Sequence, residues 1–91
     1  MAQSCDYLWV VSKGARKKNI VGRRVAEARG SSQPPLTQDA LSGKLARLGV
    51  QLDRAAIAKI EGDGRYVLDY ELKALARALD VTVDWLLGGK P

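Results

Sequence analysis

Asp69-Tyr70-Glu71-Leu72-Lys73-Ala74-Leu75-Ala76-Arg77-Ala78-Leu79 carries the cleanest helical period in the chain. Leu72, Leu75, Ala76 and Leu79 recur at i, i+3, i+4 and i+7, which gathers the apolar side chains on one helix face. Working back from there, Asp53 opens a shorter helix over residues 53–61. Leu52 and Ile57 are spaced as a hydrophobic staple around Asp53, and Ile57 and Ile60 face the core. That helix is expected to end at Gly62-Asp63-Gly64, where glycine can take the left-handed cap conformation. Earlier still, Thr37 is the expected N-cap of a helix whose stripe is Leu41, Leu45 and Leu48, with Leu36 and Leu41 as staple and Gly49 as stop. Val21, Val25 and Ala28 mark a first helix over about residues 20–29, broken by Gly30-Ser31-Ser32-Gln33-Pro34-Pro35. Beyond residue 79, Thr82 caps a fifth helix with Val81 and Leu86 as its staple, and Gly88-Gly89 ends it. Strand signals are negligible from residue 20 onward. The expected architecture is all-α, five short helices around one Leu/Ile/Val/Ala core.

Length and composition bound the function. The 91 residues make one small domain, and 46% apolar with 27% charged residues fits a globular chain. No run approaches the ~20 apolar residues that span a bilayer, and the first residues lack the basic segment of a secretory signal. A single cysteine, Cys5, has no internal disulfide partner. These features set the expectation of a cytoplasmic protein. Histidine is absent, so neither a zinc site nor a Ser/His or Cys/His nucleophile pair can be assembled. No enzyme activity, metal or cofactor is expected.

Charge is distributed unevenly. Residues 1–35 hold seven basic and two acidic side chains, whereas residues 66–91 hold three and four. Such a field suits a polyanionic partner such as DNA or RNA. Residues 1–19 read as an N-terminal extension containing the apolar run Tyr7-Leu8-Trp9-Val10-Val11 and the basic arm Lys13-Gly14-Ala15-Arg16-Lys17-Lys18. The apolar run can add a strand to another chain, pack on the domain, or trail as a tail.

Leu36-Thr37-Gln38-Asp39-Ala40-Leu41, followed by Ile57-Ala58-Lys59-Ile60-Glu61-Gly62, resembles the lambda-repressor/Cro-like (XRE-type) helix-turn-helix family. The resemblance continues through Asp69 to Leu79 and through Val81-Thr82-Val83-Asp84-Trp85-Leu86-Leu87-Gly88-Gly89, covering residues 20–89. It implies a five-helix lambda-repressor-like DNA-binding domain whose second helix crosses the DNA backbone while the third enters the major groove. The chain departs from the common family spacing by about five extra residues between Leu45 and Ile57, which calls for a longer second helix or an extended turn.

The resemblance assigns base reading to the outer face of the third helix: Arg54, Ala55, Ala58 and Lys59. Arg54 can donate two hydrogen bonds to guanine O6 and N7, and the alanines can touch a thymine methyl. Phosphate binding is expected from Thr37 and Gln38 at the second helix N-terminus, from Arg65 after the glycine turn, and from Lys17 and Lys18 in the arm. Arg29 and Glu61 match a structural ion pair bridging the first and third helices. Trp85 reads as a core or partner-facing aromatic. The expected function is a sequence-specific double-stranded DNA-binding transcriptional regulator, a repressor acting as a homodimer on a palindromic operator. The alternative is a protein-interaction module of the same fold, an antitoxin or adaptor.

Overall fold

The computed structural model describes residues 18–89. Among the described residues the regular structure is entirely helical: α1 Gly22–Ser31, α2 Gln38–Arg47, α3 Arg54–Glu61, α4 Asp69–Leu79 and α5 Val83–Leu86.

Three of the five starts have a side-chain cap. Thr37 Oγ1 accepts from the Ala40 N–H at 3.0 Å, Asp53 Oδ1 from the Ala56 N–H at 2.8 Å, and Thr82 Oγ1 from the Trp85 N–H at 3.0 Å. These bonds satisfy N–H groups that a helix start leaves without intrahelical partners. The residue before each cap and the residue four beyond it lie in or against the core, as a staple requires. α1 differs from its expected span. It starts at Gly22, with Ile20 69% exposed, and runs through Gly30 to Ser31. Its N-cap residue, Val21, makes no side-chain cap, and Asn19, two residues earlier, accepts instead through Oδ1 from the Val21 and Gly22 N–H groups at 3.1 and 2.8 Å.

Four helices end in one motif, in which an N–H just past the helix end reaches back five positions. Val50 donates to Leu45 O, Gly64 to Lys59 O, Val81 to Ala76 O and Gly89 to Asp84 O, at 2.8 to 3.0 Å. In α3 the left-handed residue is Asp63, with φ +62°, rather than a glycine. Gly62 stays at φ −91° as the end of the helix, and aspartate is among the few residues that tolerate the left-handed region.

The extra residues between Leu45 and Ile57 form an extended turn and do not lengthen α2. Gly49 reverses the chain at φ +86°, and Val50 and Leu52 are buried, so the turn is anchored in the core. Ser42 Oγ donates to Leu52 O at 2.7 Å and ties the turn to α2. The core is continuous: Val21, Val25, Leu41, Leu45, Ile57, Ile60, Leu75 and Leu86 are all at most 2% exposed. α1 packs on α3, α4 and α5, while α2 packs on α3 and α4. α3 is thus held on its inner side by α1 and α2 and keeps its other side outward.

Candidate functional site

The inner and outer sides of α3 separate by side-chain type. Ile57 and Ile60 are fully buried, Ala56 is half-buried, and Arg54, Ala55, Ala58 and Lys59 are exposed together. The structure therefore brings the four expected base-reading residues onto one free face. Its alanines leave that face smooth, so hydrogen-bonding capacity is confined to Arg54 near one end and Lys59 near the other. Arg54 Nη1 lies 3.7 Å from Asp39 Oδ2 across the gap between the starts of α3 and α2, and both side chains are largely exposed.

The C-terminal end of α3 is built differently. Arg29 Nε and Nη2 donate to Glu61 Oε2 and Oε1 at 2.8 and 3.0 Å, and Nη1 donates to Leu36 O at 2.8 Å. This two-bond geometry fixes both planar groups. Hydrogen bonding to Glu61 raises the Arg29 guanidinium above its ordinary value, with partial burial opposing. Glu61 Oε1 also accepts from Gln38 Nε2 at 3.0 Å. The network therefore joins α1, the segment before α2, the first residue of α2 and the last residue of α3.

That bond gives Gln38 a second part: one of its two amide hydrogens is committed to Glu61, which makes it a strut between α2 and α3, and the other is left to donate elsewhere. Thr37 is exposed, and its oxygen is engaged as the α2 cap while its hydroxyl hydrogen can still donate.

Arg65 is likewise tied to a carboxylate. Its Nη1 and Nη2 donate to Glu71 Oε1 and Oε2 at 2.8 and 3.0 Å, and Nη1 also donates to Tyr66 O at 2.9 Å. Glu71 is buried, and its Oε1 accepts from the Leu68 N–H at 3.0 Å. A buried carboxylate demands a permanent cation, so Arg65 is held in the loop before α4 by Glu71. Hydrogen bonding from Arg65 holds the Glu71 carboxyl below its ordinary value; the Leu68 N–H acts in the same direction and burial against it.

Lys18 lies beside the end of α3, where its backbone N–H donates to Asp63 O at 3.1 Å and its Nζ sits 5.7 Å from the centre of the Tyr66 ring. It remains an exposed cation on the side of the loop that follows α3. Lys17 and the rest of the basic arm lie outside the described residues.

Three positioning residues escaped the sequence reading. Asn19 Nδ2 donates to Ile60 O and Arg65 O at 3.1 and 2.8 Å, so the residue that accepts from the start of α1 also stitches it to the end of α3. Gly22 sits where any Cβ would overlap the Ile60 carbonyl oxygen, so only glycine permits this approach of α1 to α3. Arg24 lies over the Trp85 ring, 4.7 Å from its centre, and its Nη1 donates to Trp85 O and Gly89 O at 2.8 Å each. Trp85 is accordingly half-buried beneath an arginine. The only sequence signal for these three was proximity to the helix start, because their partners lie 38 to 65 positions away along the chain, a separation no periodicity reports.

Among the described residues no buried side-chain nitrogen or oxygen lacks a partner, and no group of three or more Cys, Asp or Glu side chains could hold a metal. No described helix is long and apolar enough to cross a membrane. Comparisons with protein-family models, with curated proteins and with solved structures return no match.

Proposed function

We propose that this chain is a sequence-specific double-stranded DNA-binding regulator of the lambda-repressor/Cro-like helix-turn-helix type, acting as a repressor through a two-fold dimer. The supporting observation is the exposed face of α3. Arg54, Ala55, Ala58 and Lys59 stand free on a helix whose position is set by two core isoleucines and by the Arg29–Glu61–Gln38 network. Arg54 supplies the paired donors that recognise guanine, and the alanines let the helix approach base edges closely. Thr37 at the start of α2 and Lys18 beside the end of α3 would supply further donors to a phosphate backbone. A dimer doubles the few phosphate contacts one domain can make and matches half-sites about 34–36 Å apart.

Equilibrium binding to a duplex recovered by random-oligonucleotide selection tests this reading. Log K should fall linearly with log salt, by ~0.9 per phosphate neutralised. Arg54→Ala should weaken the selected duplex by roughly tenfold or more and relax one base position. Lys59→Ala should lower affinity with little dependence on sequence if it meets a phosphate. Binding that ignores salt, or an Arg54→Ala variant as selective as the parent, refutes it. The exposed Tyr66, Leu68 and Tyr70 favour the second reading, a protein-interaction module such as an antitoxin or adaptor. Under that reading, substitutions there, not at Arg54, remove the partner.

A further inference from the structure

Asp39 neither caps α2 nor joins the Glu61 network. Thr37 is the cap of α2, Gln38 belongs to the Glu61 network, and Asp39 follows them, 72% exposed at the side chain, with Arg54 as its partner at 3.7 Å. A carboxylate in a first helical turn gains from the helix dipole wherever it points. This one points across a cleft of about 450 Å³ between the starts of α2 and α3, lined by Arg29, Thr37, Gln38, Asp39 and Arg54. Arg29 is occupied by Glu61 and Leu36, so the mobile charges of that cleft are Asp39 and Arg54 alone.

The geometry points to Asp39 as a specificity-determining positioning residue for Arg54. The inference rests on the reading that α3 faces duplex DNA. A guanidinium has five N–H donors in a rigid plane, and Asp39 approaches it from the Nη1 side. At 3.7 Å the contact is an ion pair without a hydrogen bond, so it draws the guanidinium toward the start of α2 and leaves all five donors for a base edge. An unrestrained arginine at this exposed helix start would swing to the nearest phosphate, a contact available on any sequence. The carboxylate also repels a phosphate approaching the start of α2, a penalty every duplex meets and that only a well-placed guanine contact offsets. Asp39 therefore disfavours indiscriminate binding twice, by holding Arg54 and by its own charge. Exposure keeps the pair weak enough to yield when a better partner is present.

Fluorescence anisotropy with the full chain decides the matter, using the selected duplex and a shuffled duplex of the same length. Asp39→Asn should weaken the selected duplex about fivefold and tighten the shuffled one about twofold, lowering discrimination roughly tenfold. In an Arg54→Ala background the same change should tighten both duplexes alike, about twofold, because only the charge is left to act. Opposite signs on the two duplexes are the result a purely structural or purely electrostatic role cannot produce. Equal tightening of both in the Arg54 parent overturns the inference, as does an unchanged ratio. Weakening of both with a lowered Tm also overturns it, by making Asp39 a stabiliser of α2. A parent chain that does not distinguish the two duplexes defeats the DNA reading itself and this inference with it; failure confined to Asp39→Asn defeats the inference alone.

Discussion

The two ends of α3 are held in opposite ways. At its C-terminal end, Glu61 is fixed by Arg29 and Gln38, the Ile60 carbonyl accepts from Asn19, and Gly22 lets α1 press against that same carbonyl. At its N-terminal end, Arg54 meets a single exposed carboxylate at 3.7 Å. The backbone is anchored at both ends, by buried Leu52 at the start and by the Glu61 network at the close, but only at the start is the side chain left exposed. Stability is thereby carried by one set of residues and the exposed face by another, and substitutions should separate accordingly.

The largest effect belongs to Gly22→Ala. Alanine favours a helix interior by roughly 1 kcal/mol over glycine, but overlap with backbone that cannot rotate away outweighs this, and the net loss should be about 3 kcal/mol. Urea denaturation monitored by circular dichroism measures it, and an alanine that stabilises would show that α1 does not approach α3 this closely. Next comes Glu61→Ala, which leaves Arg29 without its partner in a half-buried place and should cost about 2–3 kcal/mol. Arg29→Ala should cost a similar amount, and the double substitution less than the two combined.

A smaller effect is expected at Glu71, with a pH signature. Its carboxyl sits below the ordinary value of 4.5 in the folded chain. The unfolded chain therefore binds the proton first, the contribution is complete above that value, and it is lost as pH falls through the depressed folded one. Glu71→Gln should cost about 1–2 kcal/mol at neutral pH and flatten the acid limb of the stability profile. A profile equally steep in the variant would mean that other carboxylates govern acid unfolding. Smallest of all, Arg54→Ala should move the Tm by less than about 3 °C, since an exposed pair contributes little. A larger shift would mean that the open end of α3 is also part of the scaffold.

Much of this was legible before any coordinates. The caps Thr37, Asp53 and Thr82, the staples around them and the Leu/Ile stripes are local signals, each completed within four residues, and the all-helical architecture follows from them. The exposure of Arg54, Ala55, Ala58 and Lys59 also followed from the position of Ile57 and Ile60 on the same helix. The roles of Gln38 and Arg65 did not follow. Both are polar residues at a helix start or loop, and that pattern is shared by a phosphate donor and by a strut. Only the neighbouring carboxylate, Glu61 in one case and Glu71 in the other, reveals the strut.

The residue order by itself determined where helices start and stop and which face of each is apolar, because caps, staples and the 3.6-residue period act between neighbours along the chain. Tertiary structure alone decided which cations stay free. Arg24, Arg29 and Arg65 are held by acceptors brought to them from elsewhere in the fold, whereas Arg54 and Lys59 are left outward. A side chain's charge is written in its own letter, but its availability depends on which acceptors packing delivers within about 3 Å, the range over which a hydrogen bond forms.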